Sequence, residues 1–194
     1  MVDTATAPSG NAWTRLANSN PIMEFIDVTL RGSGQVIFMD NPLTGLLNFV
    51  AMFVGAARGG TSFEVAIGSV IGTMVSTAMA YLLKANRGNL KAGIYGFNGM
   101  LVGACLPTFL AANPLMWLFL VVGSAVSTIV IMAVANFLAP YKMPAFTFPF
   151  VLTCWLIVLY AKKITGLPPS AGGPLPEGGF NFITAGLNSV SQVW

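Results

Sequence analysis

The chain has 194 residues, 55% of them hydrophobic and only 8% charged, with a mean hydropathy of +0.76. A soluble domain carries about a quarter charged residues, so a soluble fold is excluded and an integral membrane protein is indicated. The net charge of +3 comes from nine Lys and Arg scattered over loops, with no basic face for a nucleic acid.

Residues 1–21 are polar and lack the basic-then-apolar plan of a secretory signal, which predicts a flexible, retained tail. Residues 22–40 come next. Ile22 to Arg31 would make about 15 Å of helix, half of a ~30 Å hydrocarbon core, and it carries Glu24 and Asp27. Its apolar positions Ile22, Phe25, Ile26, Thr29 and Leu30 fall at helical spacing. Gly32-Ser33-Gly34, then an extended Gln35-Val36-Ile37-Phe38, predict a re-entrant half-helix whose last carbonyls lack intrahelical partners. The alternative on local pattern is an amphipathic helix lying in the interface.

Five apolar runs follow, at about 42–58, 62–84, 91–112, 114–139 and 144–161, and are predicted as transmembrane helices. With a re-entrant opening, Arg15, Arg31, Lys84, Arg87, Lys91 and Lys142 fall on the amino-terminal side, against Arg58, Lys162 and Lys163 on the other. The positive-inside bias then puts the N-terminus in the cytoplasm. Small residues recur at four-residue steps as Gly68, Gly72, Ser76 and Ala80, and on one face again as Gly123, Ser127 and, two turns on, Ala135, a pattern that lets helices pack closely in lipid. Gly93, Gly96, Gly99 and Gly103 share a broad face of the third run, while Phe97 and Leu101 stack one turn apart on a different one. Cys105 and Cys154 lie inside apolar runs, where a thiol behaves as a small hydrophobe.

Residues 162–183 form a Pro- and Gly-rich linker, expected outside the cell. Leu187 to Trp194 repeats the Leu, Gln and Val of Leu30 to Ile37 in register, which suggests that 184–194 opens a second repeat of opposite orientation and is truncated there.

Several of these stretches together resemble the urea transporter family. They are Gly34-Gln35-Val36 followed by Asn41-Pro42-Leu43-Thr44-Gly45; Tyr95-Gly96-Phe97-Asn98-Gly99 with Leu101-Val102-Gly103; Leu106-Pro107-Thr108-Phe109; and Pro144-Ala145-Phe146-Thr147-Phe148-Pro149-Phe150. Met143 stands where the family signature often has Leu. The resemblance implies one half of an inverted-repeat channel fold, with 22–161 as the first repeat: five transmembrane helices plus one re-entrant half-helix, in an all-α protein. It further implies a homotrimer with one pore per protomer, a multi-pass location in the plasma or inner membrane, and a second repeat or partner subunit to complete each pore. Val36, Phe38, Phe97 and Leu101 are then slot-lining residues, and Thr147 supplies a hydroxyl at the constriction. Read without the resemblance, Phe38 and Phe97 are equally core aromatics, Gln35 a cap and Thr147 a hydroxyl bonded back to its own helix.

Urea is planar and uncharged, with four N–H donors and a carbonyl, so crossing lipid leaves costly unsatisfied polar groups. Carbonyls at the end of the half-helix, with the Gln35 amide beside them, suit its N–H groups, and flat apolar walls suit its plane. The interiors of the predicted spans hold no Asp, Glu, Lys or Arg beyond Glu64 near one end. Ion-coupled transport normally needs such groups, so a passive, channel-like facilitator of urea is expected, without cofactor or metal. An enzyme is disfavoured, because there is no His and no intramembrane acid pair. The alternatives are a channel for ammonia, short amides or water, and a non-conducting accessory subunit.

Overall fold

The computed structural model describes residues 12–58 and 61–170. Among these the fold is all-helical, with one isolated bridge between Leu110 and Pro169 and no strand. Residues 1–11 of the expected tail, 171–183 of the expected linker and the expected second-repeat start at 184–194 lie outside the described residues.

Among the described residues eight α-helices follow one another: α1 Ala12–Ser19, α2 Pro21–Gly34, α3 Pro42–Ala57, α4 Phe63–Leu82, α5 Arg87–Lys91, α6 Gly96–Phe109, α7 Pro114–Leu138 and α8 Phe148–Tyr160. Three of them start on the same dipeptide. Asn20, Asn41 and Asn113 each accept a backbone N–H of the first turn, at 2.9, 2.8 and 2.8 Å, and Pro21, Pro42 and Pro114 follow at the position where a missing N–H costs nothing.

Part of the stretch expected as a flexible tail is ordered. Helix α1 packs on α2, burying Ala17, and the Trp13 indole N–H donates to Asp27 at 2.6 Å. Asp27 also receives Arg31 Nε at 2.7 Å, and Arg31 reaches on to Asp40 at 2.6 Å, so a chain of charge-assisted bonds runs from α1 past the end of α2.

The re-entrant segment departs from its sequence pattern at the break. Gly32-Ser33-Gly34 continues α2 instead of ending it, and Gln35–Ile37 is one 3-10 turn instead of an extended run. The chain turns at Phe38, whose φ of 59° is left-handed. The glycines are used for proximity: a Cβ at Gly32 would meet the Gly96 Cα at 3.1 Å, and one at Gly34 would meet the Asn41 carbonyl at 3.0 Å. The segment Pro21–Ile37 and helix α3 then meet at 74°.

Among the described residues, two helices, Phe63–Leu82 and the continuous segment Pro114–Tyr141, are long and apolar enough to cross a membrane, and three are if the bent pair counts as one span. The chain is thus a membrane protein. The run expected at 91–112 is helical only from Gly96, because residues 92–95 turn through Gly93 at φ 78°. At 14 residues α6 covers about 21 Å, and α8 at 13 residues about 20 Å.

The small-residue faces pack as the spacing predicts. Gly68 and Gly72 of α4 lie directly against the carbonyls of Gly103 and Gly99 of α6. Ser76 donates across to the Ser124 carbonyl of α7 at 2.7 Å. One apolar core joins Val102 and Leu106 of α6 to Met116 and Leu120 of α7 and Cys154 of α8. A second joins Val28, Ala80, Leu90, Tyr95, Ile131 and Ala145, and this one carries the site described next.

Candidate functional site

Where α2 ends, the Gln35 side chain points away from its own helix. Its Nε2 donates to the Ala92 carbonyl at 2.8 Å, tying the bend to the turn that leads into α6. A carbonyl can only accept, so this bond orients the amide and leaves the Gln35 oxygen as the free acceptor of the group.

Gln35 lines a cavity of about 540 Å³ together with Phe38, Asn86, Asn89, Ile94, Tyr95, Phe97, residues 131, 132, 135 and 136 of α7, and Pro144 to Phe146. No Asp, Glu, Lys or Arg is among these residues. The polar side chains are the amides of Gln35, Asn86, Asn89 and Asn136 together with the phenol of Tyr95. The apolar side chains include Ile94, Ile131 and Met132 and three phenylalanines, with Phe38 edge-on to Phe146 at a centroid distance of 6.1 Å. Charge collects elsewhere, in a recess of about 280 Å³ lined by Glu24, Asp27, Arg31, Asp40 and Lys91 among others.

Of the six residues singled out in the sequence, the cavity brings together Gln35, Phe38 and Phe97. Phe97 is half-buried, resting on the core around Tyr95 and Ile131. Val36 and Leu101 are half-buried and lie off the cavity wall, and Thr147 is exposed at the start of α8 without a cap bond to its own helix. The carbonyls at the end of α2 are less available than the sequence suggests. Gln35 N–H donates to the carbonyl of Arg31, Asn48 Nδ2 to that of Ser33 at 2.9 Å, Met39 N–H to that of Gly34 at 3.1 Å and Phe38 N–H to that of Gln35 at 2.9 Å. Each of these oxygens keeps one lone pair at most for a solute.

Three features escape a reading of the sequence alone. Phe146 belongs to the Pro144–Phe150 motif, yet its role as a wall depends on a left-handed φ of 44°. Asn86 and Asn89, at the start of α5, meet Asn136 of α7 only in the fold. Asn98 is fully buried and reaches the start of α8; an amide inside an apolar run and a place in the Tyr95–Gly99 motif are its signals in the sequence, and neither gives it a role.

Residues 26–194 match the family model described as urea transporter. The chain is 34% identical over 131 residues to urea transporter 1 of Ovis aries and to urea transporter 1 of Capra hircus, and 33% identical over 132 residues to urea transporter 1 of Mus musculus. Each alignment covers 66% of this chain and 33% of the relative, so the chain spans about a third of the length of the curated relatives it matches.

Proposed function

Because this chain belongs to the urea transporter family, we propose that it forms one half of a passive, channel-like path for urea across the plasma or inner membrane and carries out no enzymatic chemistry. The observation that carries this reading is the uncharged cavity of about 540 Å³, where aromatic faces stand beside an amide whose oxygen is turned free. A charged solute would be stranded there without a counter-charge. A planar neutral solute with N–H donors finds apolar faces for its plane and amide acceptors for its edge.

In this reading Phe38 and Phe97 bound the slot, Val36 and Leu101 continue it on adjacent turns, and Thr147 offers a hydroxyl at the constriction. Gln35 Oε1 is the first acceptor. Supplementing it are the remaining lone pairs of the α2-end carbonyls, a ladder shared with the helix's own bonds. The exposure of Phe38 (74%), Phe146 (55%) and Phe148 (56%) supports a facing second repeat or partner subunit that closes the slot. The bent pair is a re-entrant half-helix followed by a span, and with α4, α6, α7 and α8 this makes five spans. The N-terminus is cytoplasmic: Arg31 and Lys91 line one recess, and Arg87 lies 3.6 Å from Glu24 beside it, gathering the basic residues at one end. The assembly is a homotrimer.

The test is urea efflux from proteoliposomes holding the full native protein, compared with empty vesicles and with methylammonium as a charged solute. Urea flux that saturates weakly and excludes methylammonium is expected. Flux indistinguishable from empty vesicles overturns the proposal in favour of an accessory subunit, and ammonia or water passage without urea overturns the choice of solute.

A further inference from the structure

Helix α8 begins without a cap of its own. Its N-cap residue, Thr147, makes no side-chain bond to the first turn, and Pro149 has no N–H to satisfy. The N–H of Phe150 is therefore the donor that needs a partner, and it finds one on another helix: Asn98 Oδ1 of α6 accepts it at 3.0 Å. The same amide turns its Nδ2 to the carbonyl of Phe146 at 3.3 Å. One fully buried side chain thus holds backbone on both sides of Thr147, at a residue whose neighbour Phe97 lines the cavity.

Resting on the reading above, we propose that Asn98 is the positioning residue that sets the width of the slot. It fixes the distance between Phe97 on α6 and the Phe146-Thr147 turn, and so decides how bulky a planar neutral solute can pass. The assignment follows from what an amide can do. The Phe150 N–H requires an acceptor and the Phe146 carbonyl a donor, which Asn supplies at one length. Alanine supplies neither, and an ionised Asp supplies only the acceptor while setting its charge against a carbonyl. A protonated Asp restores both, because its O–H donates and its C=O accepts. Behind Asn98, α6 is held backbone to backbone by α4 through Gly99 and Gly72, so the tie moves the turn and not the helix.

The experiment uses the full native protein in proteoliposomes, with wild type, N98A and N98D compared for permeability to urea and N-methylurea, and for hydrogen exchange of the Phe150 amide. Expected for N98A is a rise of roughly two- to tenfold in the methylurea-to-urea ratio, the range of one lost hydrogen bond, with Phe150 protection falling in parallel. N98D should behave like N98A at alkaline pH and return toward wild type as the pH is lowered, while wild type and N98A stay flat. An unchanged ratio in folded N98A, or N98D that departs from wild type by the same amount at every pH, overturns the proposal and leaves Asn98 a core residue. If N98A does not fold, the pH series of N98D decides alone. If wild type passes no urea, the parent reading fails, and the Phe150 exchange still reports on the tie: equal protection in wild type and N98A overturns it, and loss in N98A upholds it.

Discussion

Phe38 and Phe146 face each other edge to face across the mouth of the cavity, with planes at 89°, and both sit on left-handed backbone, at φ 59° and 44°. For bulky non-glycine residues this conformation costs on the order of 1 kcal/mol or more, and it tends to persist where a function needs the geometry. Two strained turns thus present two rings to the same space. Phe97, unstrained on α6, and Tyr95 just before that helix complete the aromatic lining.

Truncating these rings should widen the passage. Phe38→Ala and Phe97→Ala each remove a flat wall while Gln35 stays in place, so methylurea and thiourea should gain on urea by several-fold in vesicle flux. Leu101→Ala should have a smaller effect, since Leu101 lies off the cavity wall. Unaltered ratios in folded Phe38 and Phe97 variants would make both rings packing residues.

Thr147→Val keeps the shape at the start of α8 and removes the hydroxyl. Because that hydroxyl caps nothing in its own helix, helix stability should change little. Urea flux should drop by about two- to tenfold, the worth of one neutral hydrogen bond. A melting transition that falls while flux per folded protein is kept would assign Thr147 to structure.

Gly45→Ala should damage folding without touching the cavity. A Cβ there would fall on the Leu30 carbonyl, with the carbonyl carbon 2.6 Å away and the Gly34 nitrogen at 3.1 Å. Both neighbours are backbone and cannot rotate aside, so a cost of about 1–3 kcal/mol is expected from overpacking. Thermal melting in detergent should fall by several degrees, and a melt equal to wild type would mean that the bend is looser than these contacts imply.

Orientation can be read with thiol labels. In a background lacking Cys105 and Cys154, cysteine at position 87 should react only from the cytoplasmic side and cysteine at position 163 only from outside. Reaction of both from one face would rule out an odd number of crossings between them.

Urea passage should be flat from about pH 5.5 to 8. Histidine is the side chain whose ordinary titration falls in that window; the chain has none, and no carboxylate or amine lines the cavity. A bell-shaped or sigmoidal flux profile there would bring the charged recess around Arg31 and Asp27 into the path.

How much of this was legible beforehand differs by element. Helices α3, α4 and α7 follow from apolar runs bounded by Asn-Pro or polar residues, and the glycine faces of α4 and α6 meet as their spacing implies. The break after α2 was misplaced by a few residues because a glycine read in isolation signals conformational freedom, whereas Gly32 and Gly34 serve close contact. Helix α1 is not legible as an ordered element because what holds it is tertiary: packing on α2 that buries Ala17 and the bond from Trp13 to Asp27, 14 residues on. Of the site, Gln35, Phe38 and Phe97 were identified through the resemblance, not through periodicity. Asn98 could not be assigned, since its partners Phe146 and Phe150 lie about fifty positions away and engage it through their backbone.

The contact of α4 with α6 bears on how the protein meets its lipid. Where Gly68 and Gly72 lie on the carbonyls of Gly103 and Gly99, no side chain intervenes that could change rotamer to absorb a shift. The two helices therefore respond to a thicker or thinner bilayer by tilting as one plate, and mismatch is taken up by the surrounding lipid. Phe97 rides on that plate. The distance from its ring to α4 should stay constant from short-chain to long-chain lipids, so that changing acyl length alters how many molecules are correctly inserted and leaves the size of solute admitted by each one the same.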